Sequence, residues 1–325
     1  VYEAFFRLER DPFEISPDPY FLYPTGRHNE ALANLYFAIR APKGFVVLTG
    51  EVGTGKTLLV RCLLEKLEKN RVPYAYVFNT RLSSQEFLRY LAAELGLPGE
   101  WKGKSDLLLR LREFLMRRHN QGRTTVLVVD EAHLLRRGVL EEIRLLTNLE
   151  TSRGGLLQIA LVGQPELDEK LDSPELRQLK QRIAFRCQLL PLTWEETQGY
   201  VDWRLKRAGA NGDSPIFPLE TLRVIYHYSR GYPRLINTIC ENALISGYAT
   251  GNDSIPVELV EEACRDLRLA VDPSFVANNQ EDQSKPNGHF TSSLSTEIEQ
   301  DPPAGIPAAT KVEPVPNEST PEGDS

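Results

Sequence analysis

The sequence predicts an α/β domain built on a parallel sheet, then a small all-helical domain, then a disordered acidic tail. Three observations carry this. Short apolar runs alternate with segments of helical periodicity as far as residue 189; strand patterns stop after Pro191 while helical ones continue; and the composition changes from Val271 onward. The implied boundaries are 1–192 for the α/β domain with an N-terminal extension, 193–270 for the helical domain and 271–325 for the tail.

Taken in order, residues 45–49 (FVVLT) form an apolar run that ends at a Gly-rich turn, the pattern of a buried parallel strand. A helix is expected from Lys56 to Lys69, a second strand over 74–78, and two helices over 84–95 and 105–120. Residues 125–129 and 157–162 read as third and fourth strands, and 185–189 as a weaker fifth. Strands separated by helices imply βαβ units with both sheet faces covered. Thr193-Trp194-Glu195-Glu196 has the form of a capping box opening a helix that runs to about Ala208. Further helices are expected near 219–229, 233–249 and 256–269, with Pro218 and Pro256 close to their starts.

Ten acids face two bases from Val271 onward, so the tail accounts for the net charge of −7; residues 1–270 hold 35 acids and 36 bases. Eight of the 22 prolines also lie in the tail, and such a segment buries too little apolar surface to offset its conformational entropy. No apolar run is long enough to span a membrane and the N-terminus lacks the pattern of a signal peptide. Four dispersed cysteines without CxxC spacing read as buried thiols in a reducing cytoplasm. A cytoplasmic protein is expected.

Gly50-Glu51-Val52-Gly53-Thr54-Gly55-Lys56-Thr57 fits G-x-x-x-x-G-K-[ST], between a strand and a helix as that motif requires. Its backbone N–H groups and the helix N-terminus suit a polyphosphate. Lys56 is expected to reach the β- and γ-phosphates of ATP, Thr57 to hold Mg²⁺, and Leu58 to border the nucleotide. Residues 126–129 then deliver Asp130 and Glu131 at a strand's C-terminal end, where open α/β sheets place ligands. Asp130 is the metal-holding acid and Glu131 the group that polarises the attacking water. The ordinary alternative is a pair of acids at a helix start. Asp130-Glu131-Ala132-His133 spells a helicase label, but the chain offers no second RecA-like domain, and His133 reads as a residue of the fold.

Three positions follow from their location. Gln164, after the fourth strand, is a candidate for orienting water or touching the γ-phosphate; as a turn residue before Pro165 it needs no such role. Arg182, ahead of the fifth strand, is a candidate arginine finger toward a neighbouring subunit, with Arg177, Lys180 and Arg186 competing. Arg234, in Gly231-Tyr232-Pro233-Arg234, opens a helix of the second domain and is placed to sense the phosphates from a lid.

These blocks, together with Tyr2-Glu3-Ala4-Phe5-Phe6, Asp11-Pro12-Phe13, the stretch from Pro17 to Tyr23 with His28, and Gly163-Gln164-Pro165-Glu166-Leu167, resemble the AAA+ ATPases of the ExeA/GspA general secretion type. The resemblance covers residues 1–268 and implies a P-loop NTPase core with a helical lid, ATP hydrolysis, ring or filament homo-oligomers with ATP at subunit interfaces, and partners in an export apparatus. It also implies that the region from Tyr23 to His28 lies near the adenine. Secretion-type members continue into a membrane span and a peptidoglycan-binding domain; ending in a polar tail, this chain is more similar to soluble versions associated with exopolysaccharide and exosortase-linked export. It would then reach the inner membrane only through partners.

Two other functions compete with a motor or switch of apparatus assembly. One is a DNA-binding regulator of the transposition-helper type, for which the basic stretch 102–123 speaks; that stretch also reads as a solvated helix face. The other is a nucleotide-gated scaffold that turns over rarely.

Overall fold

In the computed structural model the described residues are 1–270, apart from 41–44, 79–80, 98–99, 152–153 and 213. The expected disorder of 271–325 lies outside them. Strand β1 (Phe45–Gly50) leads into helix α2 (Lys56–Lys69), with α1 (Gly26–Arg40) ahead of both. Then come β2 (Tyr74–Val77), α3 (Ser84–Glu94), α4 (Lys104–Asn120), β3 (Val126–Val129) and α5 (Arg137–Thr147). A two-stranded hairpin, β4 (Glu150–Thr151) and β5 (Gly154–Gly155), precedes β6 (Gln158–Gly163). Short helices α6 (Glu166–Leu171) and α7 (Arg177–Lys180) lead to β7 (Phe185–Leu189). After Leu189 the elements among the described residues are all helical: α8 (Trp194–Arg207), α9 (Leu219–Ser229), α10 (Pro233–Thr250) and α11 (Val257–Asp266).

All five strands of the main sheet are parallel, in the order β2-β3-β6-β1-β7. Alternation along each strand divides the core. Phe45, Val47, Leu127, Val129, Ile159 and Leu161 face α3 to α7. Val46, Leu48, Val126, Val128, Ala160 and Val162 face α1 and α2. With both faces covered, β1, β3 and β6 are buried along their whole length, which is why they read as unbroken apolar runs. In sequence the strand at 74–78 intervenes between the two phosphate-site motifs. In space it is β6 that lies between them, and β2 takes the edge.

Helix starts follow the expected cap chemistry. Thr193 Oγ1 accepts from Glu196 N at 3.2 Å while Glu196 Oε2 accepts from Thr193 N at 3.0 Å, and Ser83 with Glu86 repeats the arrangement at α3.

The N-terminal segment, assigned by sequence to the sheet domain, joins a different core. Tyr2, Phe6, Leu8, Phe13 and Phe21 pack with Leu192, Tyr200, Val201, Ile236 and Cys240 of the helical region. Buried Arg204 ties it there: its Nε donates to Pro12 O, another guanidinium N–H donates to Glu14 O at 3.4 Å, and its plane lies 4.7 Å from the Phe21 ring centroid. Aperiodic, aromatic-rich sequence of this kind gives no pattern from which its packing partner can be read.

The same anchor holds a titratable cluster. Tyr2 O–H reaches Glu241 Oε2 at 2.5 Å and Asp11 Oδ1 at 3.0 Å. Burial raises the Glu241 carboxyl to about 7, and the Asp11 carboxylate adds to the rise. A carboxyl raised in the folded state stabilises the fold at acid pH and loses that contribution as pH rises through the folded value. The stability gain of Glu241→Gln is therefore expected to be nil near pH 4 and to grow toward pH 7–8, read from urea midpoints across that range. A gain independent of pH would refute it.

Candidate nucleotide site

β1 ends at Gly50 and α2 begins at Lys56, so residues 51–55 form a tight loop over a helix N-terminus at the carboxyl edge of the sheet. Gly53 has φ +85, and a Cβ there would stand 3.0 Å from Arg234 Cβ, so the loop and α10 approach as closely as glycine allows. Arg234 N–H donates to Gly53 O at 3.2 Å, which fixes the start of α10 on the loop.

Lys56 is buried, and its Nζ donates to Gly50 O at 2.7 Å and Glu51 O at 2.8 Å. Two of its three N–H groups are thus held by main-chain carbonyls, leaving one for a ligand. Burial lowers its pKa, while the charges of Glu131 and Asp130 act in the opposite sense.

Asp130 stands at the tip of β3, beside β6, and is 4% exposed. Its carboxylate accepts from Glu131 N at 2.9 Å, Tyr76 O–H at 3.1 Å and Thr57 Oγ1 at 3.3 Å. Burial raises its pKa, Glu131 adds to the rise, and these three bonds oppose it. Buried carboxylates are ordinarily paired with a cation or a metal; among the described residues no basic side chain forms an ion pair with this one. Thr57 Oγ1 beside it completes a donor set that suits Mg²⁺, which takes one or two protein oxygens and fills its octahedron with water and phosphate oxygens. Among the described residues no cluster of three His, Cys, Asp or Glu suits a metal ion, so an all-protein cage is not what this site offers.

Glu131 follows at φ +51. His133 Nδ1 lies 3.4 Å from Glu131 Oε2 and 3.3 Å from Gln164 N, whose N–H donates to it. An Nδ1 that accepts from Gln164 carries no proton for Glu131, so in that tautomer the carboxylate keeps its lone pairs for water. His133 thus links the turn after β3 to the residue that follows β6.

A cavity of about 430 Å³ joins these groups. Lys56, Thr57, Leu58, Glu131 and Arg234 line it, and Glu14–Asp18 form another wall. The region from Tyr23 to His28, expected at the adenine, does not itself line the cavity but packs on residues that do. Tyr23 packs on Gly199, Tyr200 and Trp203, and buried His28 lies beneath the loop, its Nε2 3.4 Å from Thr54 O. The wall also includes Tyr200, Arg204 and Asn237, which sequence reasoning missed. Arg204 donates to Tyr200 Oη at 2.8 Å, and that phenol lies 2.8 Å from the Asn237 side-chain amide. Asn237 had a legible signal, since it stands three residues after Arg234 on one helix face. Tyr76 had none beyond its place in an edge strand.

Gly50, Glu51, Thr54 and Asp130 stand just outside the cavity lining, next in chain to residues that form it or bonded to them, while Gln164 and Arg182 stand outside it altogether. Gln164 meets His133 at the end of β6. Arg182 donates to Thr147 O at 3.1 Å and Asn148 Oδ1 at 2.8 Å, holding the C-terminal end of α5. Of its competitors, Lys180 and Arg186 pair with Asp172 at 3.0 Å, and Arg186 also meets Asp168 at 2.8 Å.

Gly231 sets the approach of Arg234. It has φ +74, and a Cβ would fall 2.0 Å from Leu192 O, while Leu192 N–H donates to Gly231 O at 2.8 Å. Gly231→Ala is expected to cost about 2–4 kcal/mol by overpacking and left-handed strain. Urea unfolding measures this, and a midpoint equal to the parent's would contradict it.

Residues 39–171 match the AAA domain family model, and the parallel sheet, the loop at Gly50–Thr57 and the acids at 130–131 have the arrangement of an AAA+ P-loop fold. Cdc6p from Pyrobaculum aerophilum shares the fold, with a TM-score of 0.62 at 20% identity, over 80% of this chain and 71% of that one. The resemblance to the ExeA/GspA type holds: General secretion pathway protein A of Aeromonas hydrophila is 46% identical over 256 residues, 78% of this chain and 46% of that protein. The chain thus spans less than half the length of that relative. ATP-dependent target DNA activator B of Escherichia phage D108 is 27% identical over 268 residues, 81% of this chain and 78% of that protein. Among the described residues no helix is long and apolar enough to cross a membrane.

Proposed function

We propose that this chain binds Mg·ATP and hydrolyses it, and that the cycle drives or switches assembly of a secretion or exopolysaccharide-export system. The observation that carries the nucleotide reading is the convergence of Lys56, Thr57, Glu131 and Arg234 on one cavity, together with the hydrogen bond that Thr57 donates to Asp130.

In this reading the loop amides and Lys56 bind the β- and γ-phosphates, while Thr57 and Asp130 hold Mg²⁺, which neutralises charge on the phosphate oxygens when bound. Glu131 orients water and draws its proton as it attacks. Gln164 acts from the end of β6, and Arg234 reports phosphate occupancy to α10. Arg182 is the proposed finger toward a neighbouring subunit of a homo-oligomer, exchanging its contacts at Thr147 and Asn148 for the neighbour's γ-phosphate. The protein would be cytoplasmic and held at the inner membrane by its partners.

The export role draws on the 46% identity to the secretion protein. A second reading, a DNA-binding regulatory ATPase, draws on the 27% identity to the phage DNA activators. Phosphate release that requires Mg²⁺ and stops with EDTA is the expected result for either. Co-purification of a Glu131→Gln chain, held in its ATP state, with export membrane components supports the first. DNA-stimulated turnover that falls steeply with salt supports the second and refutes the first. No Mg²⁺-dependent release from an assembled oligomer would refute hydrolysis itself and leave a nucleotide-gated scaffold.

A further inference from the structure

A second concavity, of about 510 Å³, opens where three helices end together: α1 at Arg40, α2 just before Asn70, and α4 just before Gly122. Its lining carries Arg40, Arg71, Arg118 and Arg123 with Tyr36 and Thr124, and no aspartate or glutamate among the described residues. None of these residues borders the nucleotide cavity.

Arginines at helix C-termini ordinarily answer the partial negative charge there, about half an elementary charge per helix. Three ends supply roughly −1.5 against four full positive charges, so most of the cationic surplus is left over. The protein partners leave it in place. Arg40 donates to Tyr36 Oη at 3.1 and 3.2 Å and Arg118 Nε to Thr125 Oγ1 at 3.2 Å, both neutral acceptors. Among the described residues no ion pair joins any of the four to a carboxylate. Lys66 adds a further charge, its Nζ 5.1 Å from the Tyr36 ring centroid. Burial and the Arg123 charge both depress the Arg118 pKa, the mark of like charges held close.

We propose that this cavity is a second anion site, which takes a compact ligand bearing several clustered phosphates. Guanidinium forks bind phosphate oxygens in pairs, and Tyr36, which accepts from Arg40, keeps its own O–H to donate. The volume lies in the range of small-ligand sites and the concave form favours a compact anion over a straight duplex. The phosphates arrive on a free oligophosphate or on a phospholipid headgroup. The C-terminal end of the basic stretch 102–123 thereby acquires a use that the nucleotide site does not explain.

Calorimetric titration of the full chain with tripolyphosphate tests this. Two classes of site are expected. Lys56→Ala removes the one on the nucleotide loop. The double variant Arg71→Glu/Arg123→Glu, at two exposed positions, weakens the other by at least about tenfold while leaving nucleotide binding and thermal unfolding unchanged. A titration insensitive to the double variant overturns the proposal, whatever Lys56→Ala does. So does binding of duplex DNA through Arg71 and Arg123 without binding of tripolyphosphate. Sedimentation with phosphatidylcholine vesicles containing cardiolipin separates the sources. Pelleting that the double variant abolishes assigns the phosphates to a headgroup, and no pelleting, with tripolyphosphate still bound, assigns them to a free anion.

Discussion

Glu131→Gln is expected to keep ATP bound while slowing turnover by about 10²–10⁴-fold, the usual worth of a positioned general base. The substitution keeps the side chain's shape and removes its charge and basicity. It touches none of the bonds that assemble the phosphate loop, since Lys56 is held by Gly50 O and Glu51 O and Asp130 by Tyr76, Thr57 and a main-chain amide. It also removes a negative charge from the cavity lining that would repel a triphosphate, so affinity for ATP should hold or rise slightly. Single-turnover phosphate release with a separate binding titration checks both halves. Turnover equal to the parent's would take Glu131 out of the role of base.

Lys56→Ala should show the complementary failure, with ATP bound at least about 10–100-fold more weakly, the loss of one or more charge-assisted bonds in a buried setting. The same change leaves Gly50 O and Glu51 O without their donor, so the loop itself loosens and thermal stability falls modestly. Fluorescent-nucleotide titration reads the first effect. Undiminished affinity would remove the ammonium from phosphate binding and with it the reading of the whole cavity.

The central strands were legible because burial on both faces leaves a simple trace, an apolar run of strand length ending in Gly or acid, while the edge strands β2 and β7 are half-buried and leave a weaker one. Residues 45–49, 74–78, 125–129, 157–162 and 185–189 each fall within a residue of the observed strands. Helix starts at Ser84, Leu219 and Pro233 were legible from caps and prolines. Helices α1 and α5 went unassigned, although Ala31, Leu35 and Ile39, and Val139, Ile143 and Leu146, recur at helical spacing on their buried faces. The strands β4 and β5, at two residues each, fall below any periodic signal. The candidate site was legible where one motif holds its parts, Gly50–Thr57 and Asp130-Glu131. It was obscure where distant segments supply them, because the placement of Glu14–Asp18 and Tyr200 is a property of packing and not of any local pattern.

The burial of residues 1–21 within the helical region's core bears on how the molecule can move. The chain begins among its last helices, crosses to the sheet near residue 25 and returns near residue 190, so two short crossings join the bodies. A rotation of α8 to α11 toward the phosphates would carry the opening residues with it as ballast. Two walls of the cavity, Glu14–Asp18 and Tyr200 with Asn237, would then move together, since both are attached to that one core.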